Sequence, residues 1–409
     1  MEEKKKNKKR EKWLKFRHRI VRNILFPTLG VFARLRYRIH IERFREQEKR
    51  PYLILYNHQT AFDQFFVGMA FRGPVYYLTS EDIFSMGWLS SLISWLVAPI
   101  PIKKQTTDVR AIMNCLRVAR EGGTIAIAPE GNRTYSGKTE YMSPSIAPLA
   151  RRMKLPIALY RLEGGYGVHP RWSDVVRRGH MKGYVSRVIS PEEYANLTDD
   201  ELFALIRDGL YVNEATVDGK FHHKKTAEYL ERALYTCPFC GLTTLESKED
   251  LITCKTCGRQ VRYLPTKELQ GVGFEFPYRF VSEWYDSQAE LVRSLDLTAH
   301  LSAPLYRDTV ELFEVIPYER KVPLCEAAHF ALFGDRIEVT RDGETTALPF
   351  KDIASVAVLG KNKLNVYHND KIYQLKGNKR FNALKYVHIY HHGLNLLKGE
   401  DAKKEFLGI

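Results

Sequence analysis

Two short apolar runs in the first third of the chain each end in a cluster of polar residues. Residues 52–56 and 124–128 are continuously apolar or β-branched, a composition that favours buried strands. A polar cluster, residues 57–63, follows the first run and leads into an apolar segment up to residue 72 that predicts a helix. The second run leads into a turn at 129–134. Both polar clusters are therefore predicted to lie where a buried strand ends.

The C-terminal third has a different pattern. Short strand-like runs separated by turn residues lie at 328–333, 336–340, 353–359, 363–367 and 371–375. They are followed by one apolar-periodic helix, 382–397, while a further helical stretch at 191–211 precedes them and 275–303 gives no clear element. Antiparallel strands closed by one helix resemble a pleckstrin-homology or GRAM-like domain. We therefore expect a small, mostly-β domain over 271–409.

His58 and Asp63 are the first candidates for chemistry. Five residues of α-helix turn the chain by about 500°, which leaves the two side chains roughly 140° apart on a helix. At a strand-to-helix turn they can meet, and an imidazole there can take a proton from a hydroxyl while the carboxylate orients it. No Ser or Cys stands in a Gly-x-Ser-x-Gly context. The substrate is therefore expected to supply the attacking hydroxyl, which favours transfer to an alcohol over hydrolysis.

The turn at 129–134 carries features of a phosphate site. Gly131 lets backbone approach a ligand, and the planar guanidinium of Arg133 suits phosphate oxygens. The two clusters resemble the motifs of the glycerolipid acyltransferase family, which includes 1-acylglycerol-3-phosphate acyltransferase. The matching residues are His58-x4-Asp63 and Pro129-Glu130-Gly131-Asn132-Arg133. The resemblance covers about residues 45–210.

This resemblance implies an α/β fold, with a mixed-sheet acyltransferase domain flanked by helices over 45–230. It also implies that His58 is the general base and Asp63 its orienter. The residues implied to shape the site for the acceptor's phosphate are Glu130, Gly131, Asn132 and Arg133. Lys103 and Lys104 stand where the family usually has an arginine, and lysine keeps the charge without the bidentate fork.

The implied reaction needs no catalytic cofactor beyond its acyl donor, a thioester of coenzyme A or acyl carrier protein. The implied acceptor is a lysophospholipid, with 1-acylglycerol 3-phosphate, which gives phosphatidic acid, as the leading choice. Glycerol 3-phosphate or another lysolipid is the first alternative. The second is a catalytically idle module that recruits a partner at a membrane, because each motif by itself is common as a chance spacing or an ordinary turn.

Four cysteines form a second strong pattern over residues 231–270. They are two Cys-x2-Cys pairs separated by thirteen residues and each followed by glycine: Cys237, Cys240, Cys254 and Cys257. The spacing predicts a zinc ribbon, and four thiolates leave no open coordination position, so the zinc would be structural. No aromatic-basic recognition pattern accompanies it, so nucleic acid is not expected. Disulfides are the alternative, disfavoured because no cleavable signal peptide is evident.

Sequence length and net charge indicate the number of domains and a binding partner. The 409 residues exceed what one core usually organises, and 44% are hydrophobic. The net charge of +15 is uneven, since residues 1–22 contain eleven Lys or Arg and three Glu, a net +8. Large apolar residues between 13 and 26 are interspersed with this charge. Residues 1–44 are therefore predicted to be a basic amphipathic segment that associates with anionic membrane, with a solvated tail or nucleic-acid arm as the alternative.

The segment 83–102 has twenty residues without a charge, which is long enough for a transmembrane helix. Four serines, Gly87 and two prolines interrupt it, and a span would separate His58 from Arg133 across the bilayer. We predict instead an amphipathic or buried helix that lines an acyl channel or dips into lipid, with a core helix as the alternative. The expected location is the cytoplasmic face of a membrane, as a peripheral or monotopic protein.

Overall fold

The computed structural model describes residues 12–45, 51–85, 87–102, 108–317 and 319–399. Over these ranges the chain forms an α/β domain, a ribbon of short strands, and a C-terminal domain of longer antiparallel strands. The first eleven residues of the predicted membrane segment lie outside the described part, and so do Lys103 and Lys104.

The α/β domain is built on a seven-stranded sheet. Its strands are β1 (Ile39–Ile41), β2 (Leu53–Tyr56), β3 (Val75–Ser80), β4 (Ile100–Ile102), β5 (Thr124–Ile127), β6 (Ile157–Glu163) and β7 (Met181–Ile189). Their spatial order is β1-β7-β6-β2-β5-β3-β4, with β6 and β7 antiparallel and the other neighbours parallel. The sheet is mixed, as predicted. It begins before residue 45, because β1 pairs with β7.

Helices cover both faces of this sheet. They are α1 (Phe16–Tyr37), α2 (Asp63–Ala70), α3 (Trp88–Val97), α4 (Val109–Arg120), α5 (Ile146–Met153), α6 (Gly165–Val168), α7 (Pro191–Ala195) and α8 (Asp199–Leu210). Helices α4, α5 and α8 share one hydrophobic core with Leu53 and Leu55 of β2, whereas α1 and α2 share another with Ile54 and Tyr56. Burial on both faces explains why β2 is continuously apolar.

The predicted helix at 191–211 is two helices. Ser190 caps the first through the backbone N–H of Glu193, and Pro191 occupies the first helical position, where its missing N–H costs nothing. Thr198 and Glu201 then form a reciprocal capping box at the start of α8. The second cap begins a new helix because its side chains satisfy the amide donors that would otherwise be unpaired.

The ribbon follows a connector that includes a short 3-10 turn at Leu230–Arg232. Its strands are β8 (Thr236–Cys237), β9 (Gly241–Leu242), β10 (Leu245–Lys248), β11 (Leu251–Cys254), β12 (Gln260–Tyr263) and β13 (Leu269–Gly271). The first two form a hairpin, and the last four form an antiparallel meander. Cys237 and Cys240 therefore lie on the hairpin, and Cys254 ends a strand of the meander.

The C-terminal domain begins with α9 (Val281–Arg293) and ends with α10 (Leu384–Lys398). Between them are β14 (Tyr306–Ile316), β15 (Arg320–Leu332), β16 (Arg336–Arg341), β17 (Glu344–Pro349), β18 (Ile353–Leu359), β19 (Lys363–His368) and β20 (Lys371–Lys376), all paired antiparallel in the order β17-β16-β15-β14-β20-β19-β18. The five predicted strands and the final helix are present. Neither α9, β14 nor β17 was predicted, and β17 exposes four of its six residues, so it lacks an apolar alternation.

One hydrophobic core extends through all three parts of the chain. It contains Tyr135, Tyr166 and Trp172 of the α/β domain together with buried residues of the connector, the ribbon, the C-terminal sheet and α10. The segment that follows the second motif is therefore packed against the later parts of the chain. This packing places the C-terminal domain beside the candidate site.

Candidate active site

His58 and Asp63 meet at the predicted strand-to-helix turn. His58 follows β2, and Asp63 is the first residue of α2. Its Oδ2 lies 2.8 Å from Nδ1 of His58. The His58 side chain is 22% exposed, whereas that of Asp63 is fully buried. The imidazole is thus fixed from inside the protein and remains accessible to a substrate.

Asp63 is held by several further donors. The backbone N–H groups of Gln59 and Thr60 donate to its carboxylate at 2.6 and 2.9 Å, and Thr60 Oγ1 donates at 2.6 Å. An ionised carboxylate only accepts hydrogen bonds, so these donors offset the cost of burying it. The carboxylate accepts the Nδ1 proton of His58, which leaves Nε2 as the basic nitrogen.

Asn57 is a site residue whose role the sequence did not indicate. Its Nδ2 donates to the carbonyl of Leu162 at 2.8 Å, and its Oδ1 accepts from the N–H of Leu162 at 2.7 Å. The side chain is fully buried. This reciprocal pair fastens the turn to β6 and therefore positions His58. The asparagine directly precedes the histidine, but a local pattern does not reveal a partner more than a hundred residues away.

Glu130 connects the second motif to the first. Its Oε1 accepts from the backbone N–H of His58 at 2.8 Å, and its Oε2 accepts from the N–H of Glu140 at 3.0 Å. The N–H of Thr134 donates to the His58 carbonyl at 3.2 Å. The backbone of His58 is therefore held on both sides by the second motif. Glu130 is buried and acts on the site through the backbone of His58.

The pKa of Glu130 is raised to about 8, first by burial and also by the nearby charges of Glu140 and Asp63. The backbone donors of His58 and Glu140 act in the opposite direction but do not cancel this effect. At neutral pH the carboxyl group therefore carries a proton.

This proton makes folding stability depend on pH. An unfolded glutamate loses its proton near pH 4.5, whereas folded Glu130 keeps it until about pH 8, so the free energy of unfolding falls as pH rises between these values. In Glu130→Gln, that fall should be smaller by on the order of 2–4 kcal/mol. Urea titrations of both proteins at about pH 5, 7 and 9 measure the difference. Glu214, whose pKa burial raises to about 7, titrates in both proteins, so its contribution cancels in the difference between them. Parallel pH curves would contradict this assignment.

Arg133 lies in the same site. Its Nη1 is buried and has no hydrogen-bond partner among the described residues. Burial and the neighbouring Arg171 lower the pKa of Arg133 to about 10, while the charge of Asp63 acts to raise it. An unpaired buried guanidinium nitrogen is unfavourable in itself and becomes favourable when an anion accepts from it. Arg133 therefore has the chemistry of a phosphate ligand.

The remaining predicted site residues are Gly131, Asn132, Lys103 and Lys104. Gly131 is exposed and has a φ of +69°, a conformation that other residues adopt only with strain. A Cβ there would meet nothing within 4 Å, so its conformation rather than crowding accounts for the glycine. Asn132 is buried beside it. Lys103 and Lys104 fall in a segment outside the described residues.

The four cysteines of the ribbon form one cluster. Their sulfur atoms all lie within 4.8 Å of one another, and the Cys237 and Cys257 sulfurs are 3.9 Å apart. Zinc–sulfur bonds of about 2.3 Å in a tetrahedron place sulfurs roughly 3.8 Å apart. Gly241 and Gly258 have φ values of +74° and +73°, as tight turns after each pair require. All six cysteines of the chain are described and free. The donor set and spacing therefore fit a metal ion.

Comparisons with known proteins concern mainly the α/β domain. Residues 36–159 match the family model described as Acyltransferase. A search of curated proteins finds no match. Among solved structures, the chain is similar to the crystal structure of the 1-acyl-sn-glycerophosphate (LPA) acyltransferase PlsC from Thermotoga maritima, with 16% identity, a TM-score of 0.40, and coverage of 46% of this chain and 78% of that chain. The match to the Acyltransferase family model therefore lies within the α/β part of the chain, and the ribbon and the C-terminal sheet lie outside the matched residues.

Proposed function

We propose that the protein is a membrane-surface O-acyltransferase that transfers a fatty acyl group from a coenzyme A or acyl carrier protein thioester to a lysophospholipid hydroxyl. The proposed acceptor is 1-acylglycerol 3-phosphate, which gives phosphatidic acid. The observation that carries this proposal is the 2.8 Å His58–Asp63 pair, held by the second motif in a domain that matches the acyltransferase family. The unpartnered Nη1 of Arg133 supplies the cation for a phosphate-bearing acceptor.

The proposed reaction follows from this geometry. Asp63 holds His58 so that Nε2 accepts the proton of the acceptor hydroxyl as its oxygen attacks the thioester carbonyl. The new carbon–oxygen bond forms, the tetrahedral intermediate breaks its carbon–sulfur bond, and the thiolate leaves. The protonated His58 returns the proton to the thiolate. No covalent intermediate on the protein and no redox partner is required.

The direct test is acyl transfer by the full-length protein. Labelled acyl thioester is incubated with lysophosphatidic acid, glycerol 3-phosphate or a neutral lysolipid on anionic vesicles, alongside His58→Ala. Transfer to lysophosphatidic acid, lost in the variant, is the expected result. Transfer only to glycerol 3-phosphate or a neutral lysolipid would replace the proposed acceptor. Transfer to none of them, with vesicle binding retained, would overturn the enzyme assignment in favour of a binding module.

A surface formed by α1 and α3 supports the proposed attachment to a membrane. Arg17 Nε of α1 donates to the carbonyl of Trp95 in α3 at 2.8 Å, so the two helices are joined. Trp13, which precedes α1, adds a bond from Nε1 to the carbonyl of Ala98, just after α3, at 3.0 Å. We call the large apolar side chains that the two helices expose the apolar face: Phe16, Ile20, Ile24, Leu25, Val31, Phe32, Leu35, Trp88, Leu92, Trp95 and Val97.

The apolar face has the composition of an interfacial membrane contact. Trp88 is 78% exposed, so α3 is not the buried core helix that was the alternative prediction. Basic residues are neighbours of these apolar residues along α1, as anionic lipid surfaces favour, and Arg19 is exposed among them. Among the described residues, no helix combines the length and the apolar character that crossing a bilayer requires. We therefore propose peripheral or monotopic attachment through α1 and α3.

Trp88→Ala combined with Leu92→Ala should weaken binding to anionic vesicles by at least about tenfold, because each buried apolar side chain contributes about 1.5–3 kcal/mol. Vesicle co-sedimentation measures the effect. The matched control is Leu396→Ala combined with Leu397→Ala, since those side chains of α10 are 58% and 64% exposed but lie outside the apolar face. Equal binding by the two double variants would argue against this surface.

A further inference from the structure

The segment between α6 and β7 lies at the junction of the three parts of the chain. We call residues 169–178 the docking loop. Three of its large side chains are almost completely buried: Arg171, Trp172 and Arg177. Buried arginines require acceptors, and the acceptors used here belong to several distant segments. The docking loop is therefore held by the surrounding structure rather than exposed to solvent.

Arg171 contacts the candidate phosphate site and the C-terminal domain at the same time. Its Nη1 donates to the carbonyl of Arg133 at 3.0 Å, and its Nη2 donates to the carbonyl of Val358 in β18 at 3.3 Å. Its guanidinium carbon also lies 4.2 Å from the centroid of the Tyr135 ring. One side chain thus connects β18 to the backbone of Arg133 and to the ring two residues later.

Lys361 holds the docking loop from the turn after β18. Its Nζ donates to the carbonyl of Ser173 at 2.6 Å and to Oδ1 of Asp174 at 2.9 Å. Arg232 of the connector donates to the same Asp174 oxygen and to the carbonyl of Trp172, each at 2.8 Å. The loop is therefore clamped between the connector and the C-terminal domain, next to Arg171.

The shared hydrophobic core fixes the same region. Trp172 Nε1 donates to the Tyr166 hydroxyl at 3.2 Å, and that hydroxyl donates to the Tyr135 carbonyl at 3.2 Å. All three residues belong to the core that continues into the ribbon and the C-terminal domain. The backbone at Arg133 to Tyr135 is consequently supported by the later parts of the chain as well as by the α/β sheet.

We propose that the C-terminal domain positions Arg133 for the acceptor's phosphate, with Arg171 as the positioning residue and Lys361 as the contact that holds the docking loop against it. This inference rests on the proposed function. Arg171 holds the backbone carbonyl of Arg133, and the guanidinium of Arg133 is largely desolvated, so without that support its side chain would move towards solvent. Acceptor binding would then have to order it again, which lowers affinity. The chemistry at His58 and Asp63 does not depend on this contact.

Other basic residues of the C-terminal domain provide matched controls. Lys371 pairs with Glu314 at 3.4 Å and Lys376 pairs with Glu311 at 2.8 Å, both within the C-terminal sheet. The side chain of Lys371 is 54% exposed. Lys371→Ala removes the same charge from the same domain as Lys361→Ala but leaves the docking loop untouched. If positive charge in general matters, both variants should lose acceptor affinity. If the positioning of Arg133 matters, only Lys361→Ala should lose it.

The test compares acceptor KM, donor KM and kcat of the full-length protein and its variants. Arg171→Ala should raise acceptor KM about 10- to 100-fold, since hydrogen bonds to a buried charged group contribute about 1.5–3 kcal/mol. Lys361→Ala, which breaks a partly exposed pair, should raise it about 3- to 10-fold. Donor KM and kcat should stay within about twofold for both. Arg171→Lys should recover part of the affinity, because lysine can still donate to one carbonyl.

Two further measurements keep the inference separate from the proposed function. Calorimetry of glycerol 3-phosphate binding reports on the acceptor site without turnover. The affinity lost in Arg133→Ala gives the largest decrease expected. Lys361→Ala should add little to Arg171→Ala, because both act through one loop. If Arg171→Ala does not fold, the acceptor KM of Lys361→Ala compared with that of Lys371→Ala still tests the positioning role.

The possible outcomes divide cleanly between the two proposals. If the wild-type protein turns over and the variants keep its acceptor KM and its affinity for glycerol 3-phosphate, the positioning role is overturned. The proposed enzyme activity then still stands. No turnover, but glycerol 3-phosphate binding that weakens in Lys361→Ala and not in Lys371→Ala, overturns the reaction and supports the positioning role. No turnover and no binding by the wild-type protein overturns both.

Discussion

His58→Ala is expected to reduce turnover by about 10²- to 10⁴-fold, the range typical of losing a general base, with acceptor affinity nearly unchanged. The imidazole is the group held by Asp63 at 2.8 Å, and its side chain remains 22% exposed where an acceptor hydroxyl can reach it. The phosphate contact proposed for Arg133 is separate and should survive the substitution. Single-turnover rates and equilibrium binding of glycerol 3-phosphate measure the two effects independently.

The matched control for this prediction is His40→Ala, which removes an exposed histidine from β1 of the same domain. It should leave turnover and binding as in the wild-type protein. Turnover of His58→Ala close to that of His40→Ala would rule out a general base at this position. A loss of acceptor binding together with turnover would indicate instead that the alanine disturbs the turn, since the backbone of His58 also bonds Glu130 and Thr134.

Removal of zinc should have the largest effect on stability. We expect one zinc per chain, bound by the four ribbon cysteines, and structural zinc sites contribute about 10–16 kcal/mol to folding in isolated zinc fingers at neutral pH. Cys237 and Cys254 also belong to the hydrophobic core that contains Tyr135. Losing the metal should therefore unfold the ribbon and also weaken acceptor binding.

Elemental analysis and thermal unfolding of Cys240→Ser test this prediction, with Cys325→Ser as the control because Cys325 lies in β15, outside the cluster. Cys240→Ser should lose the metal and unfold at a much lower temperature, whereas Cys325→Ser should keep one zinc. Wild-type protein that is equally stable after chelation would show that the cluster does not depend on metal. A mass corresponding to two disulfides would replace the zinc assignment with a disulfide one.

The amino-acid sequence by itself determined the features that depend on neighbours along the chain. The strand-to-helix turn brings His58 and Asp63 together because five residues and the intervening amide donors suffice to close it. The two Cys-x2-Cys pairs are similarly local, and glycines with positive φ close their turns. Apolar runs likewise predicted the buried strands β2 and β5, since burial on both faces leaves no polar position.

Only the tertiary structure decided which distant side chains complete the site. Glu130 reaches the His58 amide across 72 residues, and Arg171 reaches Val358 across 187. Sequence spacing cannot indicate such contacts, because they form only when helices, sheets and the shared core pack in one arrangement. No local pattern around Lys361 indicates a partner, yet its Nζ donates to the Ser173 carbonyl of the docking loop. The exposure of α3 was decided in the same way, since an apolar helix fits a core or a membrane until its neighbours show which face they cover.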